Sequence, residues 1–311
     1  AVVAVLEVYW TPSRVIGAST WAWQVVLVGG IMVVLAERFG RIDGDNRQRP
    51  ALFTLAALTM ISLALMLLLS DTALTLALAA MVLAAVALDR RFNMAYLGIF
   101  VIVGTGVCGW RLVFDPGIFW GIEAPFLRVL AAYGGSVLLI GAAWVLLKGR
   151  DRPKTFAVVD AAFWSFAATF ASVMVIHFID WAAPSHKDSN ATASLIAQVW
   201  LISAANQLWR LRRPDVRRVI RILLALLYGL PGLLLLAVVL TFLNPLFENW
   251  NTAFGPYILD SLFVAYALPG LLFLAVAIRF DHLHRWLRYG FALFGGFLVT
   301  LYVGMEIRRF W

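Results

Sequence analysis

Charge is what this chain has least of. Only 14% of its 311 residues are charged, 63% are hydrophobic, and mean hydropathy is +0.88. A soluble domain carries about a quarter charged residues, so a chain this poor in charge must be solvated mainly by lipid. Cysteine is nearly absent too. Cys108 stands alone, which excludes an internal disulfide and a cysteine-only metal site. Nor does the chain carry G-x-x-x-x-G-K-[ST], G-x-S-x-G, H-E-x-x-H or C-x-x-C. Those absences argue against a Walker-type ATPase, a nucleophile-elbow hydrolase and a zinc peptidase. No catalytic residue, metal ligand set or cofactor emerges. The short alternating segments of a membrane β-barrel are missing as well.

What the chain does have is apolar runs of about 17–25 residues, the length that crosses a bilayer as a helix. Ten are predicted, near 19–37, 51–69, 72–88, 94–112, 127–147, 156–180, 192–210, 219–243, 257–278 and 286–305. Backbone groups in lipid must be satisfied internally, so these runs read as helices. The expected fold is all-α, a single polytopic domain over 1–311. Residues 1–9 read as the end of a preceding helix, and the chain as a piece of a longer protein.

The basic residues sort into alternate loops. Nineteen, among them Arg38, Arg90, Lys148, Arg210, Arg218 and Arg285, fall on one side with eight acids; six fall on the other with nine. The positive-inside rule places the nineteen in the cytoplasm of a bacterial inner-membrane protein. Because these residues sit in short loops rather than on one face, the net charge of +8 does not point to nucleic acid. The opposite loops are acidic and aromatic, with Phe114, Phe119, Trp120, Phe126, Trp181, Phe247, Trp250 and Phe254. An interfacial belt explains these rings; a groove for a sugar or lipid is the sharper alternative.

Several polar residues lie within or beside the runs, where ionisable groups are functional candidates. Asp160 sits one turn inside span six, with Asn206 and Gln207 at similar depth in span seven as possible donors. Ser165, Thr169 and Ser172 share a face. His177 and Asp180 stand one turn apart, followed by His186 and Asp188, but this spacing matches no metal motif. His282 and His284 are equally nonspecific. Ala292, Gly296, Thr300 and Gly304 form a small-residue stripe suited to helix packing. An internal similarity is also present: Tyr228-Gly-Leu-Pro231-Gly232 against Tyr266-Ala-Leu-Pro269-Gly270. Each proline removes a backbone donor near mid-span, so the pair could shape a hinge or binding site, or serve packing.

The stretches Leu243-Asn244-Pro245-Leu246-Phe247 and Leu262-Phe-Val-Ala-Tyr266-Ala-Leu-Pro269-Gly270, with the ending Tyr302-Val-Gly-Met-Glu306-Ile-Arg308-Arg309, resemble the bacterial predicted membrane proteins grouped as domain of unknown function two-three-three-nine. The resemblance is clearest over 225–311. It implies a long many-span protein and transfers no activity. It singles out Asn244, Pro245, Tyr266, Pro269, Glu306, Arg308 and Arg309. Of these, Asn244, Glu306, Arg308 and Arg309 approach one surface with Glu248 and Asp260, where a hydrogen-bonded cluster would latch spans eight to ten. Three functions compete. The first is transport or handling of an envelope lipid or metabolite. The second is a scaffold for other membrane or envelope proteins. The third is a periplasm-facing glycan or lipid enzyme using Asp115, Glu123, Asp180 or Glu248. The lipid bilayer is the one partner common to all.

Overall fold

The computed structural model describes residues 6, 9–44, 47–186, 189–212, 218–247 and 253–311. After a single turn, Pro12–Val15, the helices are α1 (Ala18–Ile42), α2 (Gln48–Leu68), α3 (Asp71–Phe92), α4 (Leu97–Val113), the short α5 (Gly117–Glu123), α6 (Phe126–Leu147), α7 (Pro153–Ala182), α8 (Asn190–Arg210), α9 (Arg218–Thr241), α10 (Phe263–Arg279) and α11 (Arg285–Phe310). Among the described residues there is no strand. The fold is all-α, a membrane-type bundle.

A helix stands at each of the ten predicted positions, yet not all ten qualify equally as spans. Seven are long and apolar enough to cross a membrane, and α4 with α5 makes an eighth if that pair, bent by 53°, is one span. The count of ten is therefore approximate. Helix α8 falls short because it carries Asn190, Gln198, Asn206 and Gln207, and α10 because it is short. The predicted start of α10 at 257 also needs correction. Asp260 Oδ1 accepts the Phe263 N–H at 2.9 Å, so the helix begins after Asp260 and the residues before it form a loop.

The chain divides into two compact units, Ala1–Phe170 and Ala171–Trp311, with the division inside α7. In the first unit α1 and α2 form a hairpin around Ala22, Val25, Met60 and Ala64. Helix α3 packs on α4 and α6 and buries Leu78, Ala79, Val82, Ala85 and Val86. Lipid tails are as apolar as leucine, so small residues that allow close contact hold such a core. The bend between α4 and α5 is held by Tyr133, whose buried hydroxyl lies 2.9 Å from the carbonyls of both Leu112 and Gly117. Two basic loops meet at one end. Arg152 donates to both oxygens of Asp89 at 3.1 Å and to Asn93 Oδ1 at 2.8 Å, and Arg150 donates to the Arg90 carbonyl.

The second unit is built from two helix hairpins. Helix α8 pairs with α9, α10 pairs with α11, and the start of α10 packs on α8. Its core is Ala197, Leu201, Leu236, Phe273 and Leu298, continued by Val239, Leu262, Tyr266 and Met305.

Candidate functional site

At one end of the second unit, the loop before α10 is tied down by three residues of α11 spaced i, i+4 and i+7. Tyr302 donates to the Ile258 carbonyl at 2.7 Å. Glu306 Oε1 accepts the Ile258 N–H at 2.9 Å. Arg309 donates to Asp260 Oδ2 at 2.5 Å and to the Gly255 carbonyl at 3.0 Å, with its guanidinium 5.0 Å from the Tyr257 ring centroid. The Asp260 side chain is fully buried, and both of its oxygens are engaged. Ile258 has φ 77°, a strained region for a β-branched residue, and the two α11 side chains grip that residue on both its backbone groups.

Of the predicted cluster, Asp260, Glu306 and Arg309 therefore share one loop. The basic partner of Asp260 is Arg309, while Glu306 serves the backbone. Asn244 is engaged locally, donating to the Leu240 carbonyl and accepting the Leu246 N–H, both at 3.0 Å, and Pro245 is buried beside it. Arg308 has interactions of its own. Glu248 lies outside the described residues.

Deeper in the unit, α10 opens with a π-type turn over Phe263–Ala267, followed by Pro269. The Leu268 N–H reaches back to the Phe263 carbonyl, and Pro269 has no N–H to offer, so the carbonyls of Val264 and Ala265 lose their usual helical donors. Helix α8 replaces them. Ser194 Oγ lies 3.0 Å from the Ala265 carbonyl and 3.2 Å from that of Val264, and Gln198 Nε2 donates to Val264 at 3.0 Å. Tyr266 is fully buried and donates to the Val239 carbonyl of α9 at 3.2 Å. Ser194 and Gln198 were not singled out from the sequence. The available signal was a Ser and a Gln four residues apart, on one face of a helix that carries several other polar residues.

The repeated Tyr-x-Leu-Pro-Gly segments occupy equivalent places. A Cβ on Gly232 would stand 3.0 Å from the Ala197 carbonyl of α8, and one on Gly270 would stand 3.0 Å from the Gly295 carbonyl of α11. Each Pro-Gly step is thus a point where two helices cross closely. On the side of these crossings away from the tied loop, an apolar cleft of about 500 Å³ opens. Its walls include Leu201, Ala204, Gly229, Leu233, Phe273 and Phe291, and its mouth carries Arg218, His282 and His284. Leu226, Leu230 and Leu233 on its rim are exposed.

The sequence profile of a family described as predicted membrane proteins, DUF2339, matches residues 1–311. The chain belongs to that family. Neither a curated protein nor a solved structure matches it.

The other candidates in this DUF2339 member are placed as follows. Asp160 is buried in the first unit and accepts the Trp144 indole N–H at 2.9 Å. Asn206 belongs to the second unit, where its Nδ2 is buried without a hydrogen-bond partner. Ser165 and Thr169 bond to carbonyls of their own helix one turn back, each at 3.0 Å. His177 is half-buried and Asp180 exposed, both with interactions of their own. His186 stacks on Phe254 with centroids 3.8 Å apart. Among the described residues no three His, Cys, Asp or Glu side chains gather as metal ligands. On α11 the close contact is made by Gly295, whereas Gly296 and Gly304 of the predicted stripe face open space.

Proposed function

We propose that this DUF2339 member handles a lipid-like amphiphile in the bacterial cytoplasmic membrane, and that the cleft of its second unit receives the hydrocarbon part. The observation that carries this reading is the cleft itself. It is of ligand size, apolar throughout its walls and bounded by the Pro-Gly crossings. The polar side chains in its lining are Arg218, His282 and His284 alone among the described residues, which leaves a polar solute few partners. That favours lipid or apolar-metabolite handling over passage of a hydrophilic substrate. In this reading all ten helices span a single membrane domain, the basic loops face the cytoplasm and the acidic aromatic loops the periplasm.

The test is labelling by a diazirine-bearing fatty-chain lipid in reconstituted bilayers, with sites mapped by mass spectrometry. Labels are expected to concentrate within 201–233 and 272–291, and to be lost when Gly229→Leu or Ala205→Phe fills the cleft while Gly296→Leu leaves them. Uniform labelling along every lipid-facing helix would refute the reading.

A second reading, a non-catalytic scaffold for other membrane or envelope proteins, is favoured by the loop tied to α11. Three side chains hold one loop shape there, as an interaction surface requires. That reading predicts that variants of Tyr302 and Arg309 lose a co-purifying partner without altering lipid labelling.

A further inference from the structure

The polar groups at the cleft mouth are not alike, and their hydrogen bonds sort them. His282 Nε2 lies 2.8 Å from the Leu208 carbonyl. A carbonyl only accepts, so Nε2 carries the proton and that donor is used up. The ring packs against Trp209 and Phe280, which makes His282 a wall. His284 is different. Its Nδ1 accepts the Trp286 N–H at the start of α11, so in the neutral ring Nε2 is the protonated nitrogen. His284 is exposed at the mouth, and its Nε2–H is a donor that the cap fixes in place. Arg218, exposed at the first turn of α9, adds a guanidinium on the same rim.

Among the described residues no carboxylate lines this cleft. Asp281, in the adjoining turn, accepts from Arg212 at 3.0 Å and lies 3.8 Å from His282 Nδ1. The first unit offers a contrast. A cleft of about 560 Å³ between α1, α2 and α3 contains Glu37 paired with Arg41, so a carboxylate sits among its cationic residues. Of these two clefts, that of the second unit alone has no carboxylate in its lining among the described residues.

We infer that the occupant of this cleft is an anionic phospholipid, its chain between α9 and α11 and its phosphate held by the Arg218 guanidinium and His284 Nε2–H. The inference rests on the cleft reading above and adds the headgroup to it. A guanidinium fork matches phosphate oxygens and stays charged at any working pH. A zwitterionic headgroup would bring an ammonium to a rim that already carries the Arg218 guanidinium.

The experiment uses the whole chain in nanodiscs with trace amounts of two photoreactive lipids of identical diazirine chains, phosphatidylglycerol and phosphatidylcholine. The readout is the ratio of label in peptides 201–233 and 272–291. One basic group near a membrane surface favours an anionic lipid by about fivefold, so phosphatidylglycerol is expected to label the cleft at least that much more strongly. Arg218→Gln with His284→Asn should reduce the preference to about twofold or less. Asn is chosen because it still caps α11, and Arg218→Lys should keep most of the preference. Equal labelling by the two lipids at the cleft overturns the headgroup inference and leaves the cleft reading standing. Absence of cleft-selective labelling by either lipid overturns the cleft reading itself. A preference that survives Arg218→Gln with His284→Asn overturns the assignment of these residues.

Discussion

Removing Arg309 tests how the loop before α10 is held. The Asp260 side chain is fully buried and that of Arg309 is 21% exposed, so the two ends of the pair differ in their access to water. In Arg309→Met the methionine fills much of the arginine stem but leaves a buried carboxylate with no cation. Breaking a buried pair in this way costs about 3–5 kcal/mol. Asp260→Asn is the milder change. An amide oxygen still accepts the Phe263 N–H, and the abandoned guanidinium can turn toward water on its flexible stem. Its cost is nearer about 1.5 kcal/mol, the loss of one charge-assisted hydrogen bond. The double variant should recover at least about 1 kcal/mol relative to the sum of the singles, because each removes a charge the other leaves stranded. The assay is reversible unfolding in mixed micelles, with hydrogen exchange at the amides of 253–262 as a local readout. Exchange at Ile258 should accelerate in both single variants, since its N–H is held by Glu306 from the same helix face. If Asp260→Asn cost as much as Arg309→Met, or if the two added without coupling, the argument from unequal burial would fail.

Three further outcomes follow from the same geometry. Gly295→Val should destabilise by about 1–3 kcal/mol, because its Cβ would stand 2.7 Å from the Gly270 carbonyl, whereas Gly296→Val should be near neutral with nothing within 4 Å; equal melting temperatures in micelles would contradict this. Ser194→Ala should cost about 0.6–1.7 kcal/mol, and the cost should shrink in a Pro269→Ala background, where a backbone N–H again competes for the orphaned carbonyls; strict additivity in that cycle would refute the replacement of donors by α8. Arg212 beside Asp281 holds its carboxyl below the ordinary 3.8, so the pair contributes above that value and is lost as pH falls through the lowered one; the Asp281 carboxyl shift should report this titration, move back up in Arg212→Gln, and fail to respond if the pairing is absent in the membrane.

How much of this was legible in the sequence depends on the range of the interaction. Apolar runs and the charge between them respond to the solvent around each helix, so the all-α membrane fold could be read directly, although the count of ten spans is approximate and α10 starts later than its apolar run. The sequence placed Asp260, Glu306 and Arg309 near one surface and suggested a Glu306–Arg309 pair; in the structure Arg309 bonds to Asp260 and Glu306 to a backbone N–H, a choice of partner that no local signal carries. What could not be read was set by backbone geometry at a distance. Pro269 announces a missing donor, but nothing local says that Ser194 and Gln198, some seventy residues earlier, supply the replacement. Likewise the stripe Ala292, Gly296, Thr300 and Gly304 fits a packing face by its period. The contact is made one residue away, at Gly295, where α10 brings the Gly270 carbonyl and the Leu274 backbone close. The cleft lies below that crossing and belongs to the same class. Its walls are leucine, alanine and phenylalanine residues no different in sequence from those facing lipid, so nothing local marks them. The proline that breaks the helix ladder, the glycine that allows the crossing and the cleft beneath it are therefore one device, and a residue that widens the crossing at Gly270 should open the closed end of the cleft as well.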